Sequence, residues 1–167
     1  MKKTIIKCAI IGGIIVFIVN FFAWRAVPMM KPMHFQNEQA VSNVIKENAP
    51  SDGVYVIHPS DKSNAPYFYG TVKYQNKHCL GMTMVLSLIG QIVIAGLITW
   101  LLLKTKGLSS KQKVGFITIV GVIIAISSDF TYFNWAGFPL SITLFSFVEQ
   151  IVAWFLAGYG MAKLMKK

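Results

Sequence analysis

The sequence predicts an all-α membrane protein with four transmembrane helices and a small extracytoplasmic α+β insertion, an αββ unit, between the first two helices. Two observations lead to this prediction. The chain of 167 residues is 54% hydrophobic and only 13% charged, with a mean hydropathy of +0.56, which excludes a soluble domain and a disordered chain. It also contains four apolar runs that, as helices, can each cross a hydrocarbon core of about 30 Å.

The four runs define the expected organisation. The first helix lies within residues 1–27, and the other three lie at about 80–103, 114–133 and 140–164. Asp129 and Glu149 are the acids inside these runs. Residues 28–79 are polar and too rich in charge to span a bilayer. We therefore expect a transmembrane helix in 1–27, the αββ unit in 28–79 and three transmembrane helices in 80–167.

The distribution of lysines predicts the orientation. Ten lysines precede the first run, follow the second or follow the fourth, with no acid among them, whereas residues 28–79 mix five lysines with four acids. Short loops rich in Lys and Arg stay on the cytoplasmic side. We expect both termini in the cytoplasm, residues 28–79 in the periplasm and a multi-pass protein of a bacterial inner membrane. This topology accounts for the net charge of +10, so the expected partner is the lipid bilayer and not a nucleic acid.

Residues 28–79 carry the signals of one helix and two strands. Asn37 is placed to cap a helix that runs to about Asn48 and ends at Ala49-Pro50. The segments GVYVIHP (53–59) and YFYGTVKY (67–74) are rich in β-branched and aromatic residues and are separated by turn-forming residues. Together they predict the αββ unit.

Several motifs in the chain form a recognisable pattern. They are FQNEQAV and NAPSDGVY in the αββ unit, and NWAGF and WFLAG in the last hairpin. With their flanking residues these motifs resemble a group of small four-span bacterial inner-membrane proteins with no assigned activity, and the resemblance covers more than half of the chain. It implies a bacterial origin and the four-span topology, and it implies no activity. The chain departs from the pattern at residues 29–34, where methionines are denser.

Polar side chains inside the apolar runs are candidates for function, because they are costly in hydrocarbon. In one interpretation they are structural: a neutral Glu149 bonds to Gln91 or Ser146 near the midplane, and Asp129 pairs with Arg25. In the alternatives, Glu149 and Asp129 form a site for a partner helix or a relay for protons or cations. The intramembrane polar residues are Asn20, Arg25, Gln91, Asp129 and Glu149.

Methionine, cysteine and histidine residues flank the junctions of the αββ unit with the first and second runs. Five of the eight methionines in the chain lie there. Thioether, thiolate and imidazole groups suit Cu(I), although methionines at an interface also serve as flexible apolar residues. The candidate copper ligands are Met29, Met30, Met33, His34, His78, Cys79, Met82 and Met84.

The sequence favours an interaction protein over an enzyme. It contains no G-x-S-x-G, H-E-x-x-H, Walker or C-x-x-C motif, so we expect no catalytic residues and no cofactor of its own. The predicted function is that of an accessory or interaction subunit that acts through its αββ unit and helix faces, with a membrane-protein partner or a second copy. The motifs Ala9-x3-Gly13 and Gly121-x3-Ala125 can serve such contacts or contacts within the chain. The alternative function is ion, proton or copper handling.

Overall fold

The structure is a bundle of long helices with a short helix and a hairpin inserted after the first. The computed structural model describes residues 2–26, 33–60, 64, 66–74, 80–105 and 107–165. Within these described residues, four helices are long and apolar enough to cross a membrane, which confirms the predicted helical class. The elements are α1 (Lys2–Ala26), α2 (Glu38–Asn48), β1 (Gly53–Ile57), β2 (Phe68–Val72), α3 (Leu80–Lys104), α4 (Ser110–Ala125), a π-helical turn (Ile126–Phe130), α5 (Thr131–Ala136) and α6 (Leu140–Leu164).

The third long helix begins at Ser110, ahead of the apolar run predicted from residue 114. Its start is set by a capping box: Ser109 Oγ accepts a hydrogen bond from Gln112 N at 3.3 Å, and Gln112 Oε1 accepts one from Ser109 N at 2.8 Å. The two side chains satisfy backbone N–H groups that have no partner inside the helix. The polar first turn therefore belongs to the helix.

A π-helical turn, Ile126–Phe130, joins α4 to α5 and carries Asp129. The Ser128 hydroxyl donates a hydrogen bond to the Ile124 carbonyl at 2.8 Å. Such side-chain bonds compete with the regular backbone ladder and locally deform helices. Hydropathy does not reveal this turn, which occurs at the acid of the third apolar run.

The long helices pack in a definite order. α1 packs against both α3 and α6, and α4 packs against α6. The core lies at the end of the bundle where α1 starts, α3 meets α4 and α6 ends, termed the terminal end; the opposite end is termed the αββ end. The largest fully buried side chains of this core include Cys8, Leu102, Ile117, Trp154 and Met161.

The αββ unit has the predicted elements. Asn37 Oδ1 accepts a hydrogen bond from Ala40 N at 2.9 Å and caps α2. β1 and β2 form an antiparallel pair in which Val56 lies opposite Tyr69. This confirms the predicted helix and both strands between the first two long helices.

Two tyrosines hold the αββ unit in place. The Tyr74 hydroxyl donates to the Ala49 carbonyl at 2.6 Å and joins the end of β2 to the end of α2. The Tyr67 hydroxyl donates to the Trp135 carbonyl at 2.9 Å. The Tyr67 ring lies against Gly137, whose φ of +68° makes the turn between α5 and α6 and favours glycine. The unit is therefore attached to the α5–α6 turn at the αββ end.

Candidate functional site

The four long helices are packed tightly in one half and open in the other. Buried residues occupy positions 8–16 of α1, 95–102 of α3, 117–125 of α4 and 149–162 of α6. All four stretches lie toward the terminal end. Glu149, only 6% exposed, is the buried residue of α6 closest to the αββ end. The polar residues predicted from the sequence therefore lie at the boundary between the packed core and the open half, or on the αββ side of that boundary.

A close contact between α1 and α3 marks this boundary. A Cβ added to Gly13 would lie 2.6 Å from the Ile92 Cα, and one added to Gly12 would lie 3.1 Å from the Ala95 Cβ. Carbon atoms prefer separations of about 3.5–4.0 Å, so only glycine permits this approach. From this point toward the αββ end the two helices bound an open groove, termed the α1–α3 groove.

The α1–α3 groove has a volume of about 450 Å³ and two chemically different walls. On α1, residues 17, 21 and 24 follow helical spacing and present aromatic rings, and the Phe17 and Phe21 rings are inclined by only 22°. On α3, residues 83, 87 and 91 recur every four positions and present hydroxyl and amide groups. The lining residues are Phe17, Asn20, Phe21, Trp24, Arg25, Leu80, Thr83, Met84, Ser87 and Gln91.

Asn20 and Glu149 meet where the groove reaches the core. One amide atom of Asn20 lies 2.5 Å from Glu149 Oε1 and 2.9 Å from the Val16 carbonyl. Both neighbours are acceptors, so this atom is assigned as the nitrogen, which donates to both. Glu149 therefore forms a hydrogen bond between α6 and α1. Its partner is Asn20 and not Gln91 or Ser146, the two partners predicted from the sequence.

Gln91 faces a different environment from the predicted one. It lines the α1–α3 groove, and within the described residues its side chain has no hydrogen-bond partner. The expected bond from Gln91 to Glu149 is wrong, because α1 lies between α3 and α6 and Asn20 occupies the position next to the carboxylate. Gln91 therefore presents its amide to the groove.

Asp129 lies on the other side of α1, in a cavity of about 200 Å³ that it shares with Trp24 and Ser146. Its Oδ2 is buried and has no hydrogen-bond partner among the described residues. Asp129 is within electrostatic range of Glu149. The charges of the two acids can therefore interact, and their role as a relay or a partner-helix site stays a prediction.

Arg25 does not neutralise Asp129. In the described part of the chain these residues form no ion pair, and the Arg25 guanidinium instead lies 5.1 Å from the centroid of the Phe21 ring. The predicted Asp129–Arg25 pair is wrong because the helical spacing of four residues places Arg25 over a ring of its own helix.

The structure brings few of the candidate copper ligands together. Met29, Met30, His78 and Cys79 lie outside the described residues. Met33 is 96% exposed, and His34 Nδ1 lies 2.8 Å from Glu38 Oε1. Met82 is exposed, whereas Met84 lines the α1–α3 groove. Copper binding therefore stays a prediction that depends on residues whose positions are not described.

The small-residue motifs serve contacts within the chain. Gly13 contacts α3 at Ile92, as described above, and Gly121 receives the Trp154 side chain, since a Cβ on Gly121 would lie 2.6 Å from the Trp154 Cβ. Ala9 and Ala125 are buried as well. These two faces are therefore used to hold α1 on α3 and α4 on α6, and they are not available for a second copy.

Two features of the site were not predicted. The aromatic wall of α1 follows an i, i+4, i+7 pattern through Phe17, Phe21 and Trp24, which is visible in the sequence but is obscured by the surrounding apolar residues. Trp24 lines both the α1–α3 groove and the Asp129 cavity. Only the packing reveals that one residue separates two cavities.

Comparisons of this chain with protein-family models, curated proteins and solved structures find no match. The resemblance to small four-span bacterial proteins therefore stays a prediction.

Proposed function

We propose that this protein is an accessory or interaction subunit of the membrane that acts through its αββ unit. The supporting observation is that the unit has regular secondary structure but almost no core. Among its described residues only Ala49, 5% exposed, counts as buried, and α2 has no buried residue. An isolated two-stranded hairpin is at best marginally stable in water. A partner protein that covered the exposed side chains of this unit would therefore stabilise it.

The apolar side chains of the unit define where such a surface would lie. Val54, Val56 and Tyr69 share one face of the hairpin, because Val56 pairs with Tyr69 and side chains alternate along a strand. They are 57%, 40% and 42% exposed. Val44 on α2 is 58% exposed. Exposed apolar side chains that share one face, as Val54, Val56 and Tyr69 do, are typical of an interaction surface.

The proposed orientation places this unit in the periplasm of a bacterium, with both termini in the cytoplasm. The lysine distribution supports it. The terminal end adds a second argument, since Lys104 lies 5.6 Å from the Trp100 ring and Lys163 lies 4.3 Å from the Tyr159 ring. Aromatic residues next to lysines are typical of a membrane–water interface on the cytoplasmic side.

Photo-crosslinking in intact cells tests the proposed function. A photoreactive amino acid is placed at Val56, and separately at Glu47, an exposed polar position of α2 that serves as the matched control. We expect a discrete protein adduct from Val56 that is absent from Glu47. Adducts with lipid alone, or no adduct above the control, would contradict the proposal. An adduct with a second copy would identify a homo-oligomer as the interaction.

Ion or proton handling is the second candidate, favoured by the buried oxygen of Asp129 and by the proximity of this acid to Glu149. A conducting path must continue past Glu149 toward the terminal end. That half is filled by fully buried side chains, including Trp154, Met161 and Leu102. We therefore rank this function second. Glu149→Gln keeps the shape of the side chain but cannot release a proton, so a folded yet inactive Glu149→Gln protein would favour this function.

A further inference from the structure

The α1–α3 groove contains polar side chains at the depth of the bilayer midplane. Gln91 lies about 17 Å along α3 from Leu80 at 1.5 Å per residue, near the middle of a hydrocarbon core of about 30 Å. Neither Gln91 nor Ser87 has a side-chain hydrogen-bond partner among the described residues. Polar groups left unpaired in hydrocarbon are costly. Gln91 and Ser87 can therefore donate hydrogen bonds to a ligand in the groove.

The groove admits a ligand from the bilayer. Among the residues that the structure describes, those that line the groove belong to α1 or α3, so these two helices form its walls. Among the long helices, α3 packs chiefly on α1, which leaves α3 at the edge of the bundle. A lipid-soluble molecule can enter between the two helices and leave its tail outside.

The groove selects an uncharged, flat head group. Its inner part offers the amide of Gln91 and the hydroxyl of Ser87, which are uncharged donors. The Glu149 carboxylate, where the groove meets the core, already accepts a hydrogen bond from Asn20. The Phe17 and Phe21 rings line the other wall and are only 22° from parallel, and aromatic rings pack against flat ring systems.

We propose that the α1–α3 groove binds the ring of an isoprenoid quinone. The two ring carbonyls accept hydrogen bonds from the Gln91 amide and the Ser87 hydroxyl, the ring lies against Phe17 and Phe21, and the isoprenoid tail extends into the bilayer. A groove of about 450 Å³ lies within the range of small-molecule sites. The binding involves no electron transfer and is independent of the proposed partner of the αββ unit.

An anionic phospholipid fits the groove less well. The cation that lines it, Arg25, lies near the αββ end with its guanidinium over the Phe21 ring. A phosphate bound there would direct acyl chains along the groove toward Gln91. That arrangement would leave the Gln91 amide without a hydrogen bond.

Isothermal titration calorimetry on the full-length, detergent-solubilised protein tests the proposal with ubiquinone-2. Geraniol, which has a tail of the same length and no quinone ring, is the head-group control. We expect saturable binding of ubiquinone-2 at one site per chain. We expect Gln91→Leu to weaken it about tenfold, the loss of one buried hydrogen bond, and Ser87→Ala to weaken it by a smaller factor. Gln150→Leu, the same substitution on α6 outside the groove, should leave the affinity unchanged.

Three results would overturn this assignment. Equal affinity for geraniol and ubiquinone-2 would indicate nonspecific hydrophobic binding without recognition of the head group. Unchanged affinity in both Gln91→Leu and Ser87→Ala, with each variant monodisperse by size-exclusion chromatography, would remove the polar wall from the site. Displacement of the quinone by short-chain phosphatidylglycerol, abolished by Arg25→Gln, would assign the groove to a phospholipid.

Discussion

The contact between α1 and α3 at Gly13 provides the sharpest test of the packing. In Gly13→Ala the new Cβ would lie 2.6 Å from the Cα, N and Cγ1 atoms of Ile92. Because the preferred carbon–carbon separation is about 3.5–4.0 Å, the helices would have to separate by roughly 1 Å. Two of the three atoms belong to the backbone, so a rotamer change of Ile92 cannot relieve the clash.

The expected cost follows from this geometry. Overpacking of a well-packed core costs about 1–3 kcal/mol. Alanine also has a higher helix propensity than glycine by about 1 kcal/mol, so the clash must exceed this gain to appear as a net loss. Because the clash involves backbone atoms, we expect its cost in the upper part of this range, about 2–3 kcal/mol, so that the free energy of unfolding of Gly13→Ala falls by about 1 to 2 kcal/mol.

Unfolding by SDS, followed by circular dichroism in one detergent, measures this difference. Gly90→Ala on α3 is the matched control, because nothing lies within 4 Å of the position of its added Cβ. It should be as stable as the parent protein or more stable. If Gly13→Ala is as stable as Gly90→Ala, the close approach of α1 and α3, and with it the shape of the groove, is incorrect.

Three further predictions concern the polar pair, the topology and the metal. Asn20→Leu should lower the free energy of unfolding by about 1–2 kcal/mol, since it leaves Glu149 buried without its hydrogen bond. Glu149→Gln should cost little stability and should keep whatever function is lost when the gene is deleted. A folded but inactive Glu149→Gln protein would favour proton handling. In a variant with Cys8 and Cys79 replaced by Ala, a cysteine at Ser60 should react with an impermeant thiol reagent in intact spheroplasts and one at Ser109 should not, and the reverse pattern would refute the proposed orientation. If the methionine-rich junctions bind Cu(I), purified protein should retain copper against a chelator and lose it when Met30 and Met33 become Leu; copper no higher than in an unrelated membrane protein would dismiss the site.

The sequence by itself determines the elements of this protein. Four apolar runs of bilayer length, the cap at Asn37 and the alternation of the two strands act within short stretches of chain, and the structure contains the corresponding helices and hairpin. The position of Glu149 in the middle of the last run follows from counting residues along a helix. Such features are local, so the order of residues is enough to predict them.

Only the tertiary structure determines which polar groups form hydrogen bonds with one another. Helical spacing places Gln91 and Glu149 at similar depth, but it does not reveal that α1 lies between α3 and α6 and brings Asn20 to the carboxylate. The approach of α1 to α3 at Gly13 likewise depends on a residue about eighty positions away in the chain. Long apolar helices present similar surfaces on every side in hydrocarbon, so their pairing depends on a few glycine contacts and hydrogen bonds. These contacts join residues distant in the chain, so the pairs and the groove emerge only in the folded bundle.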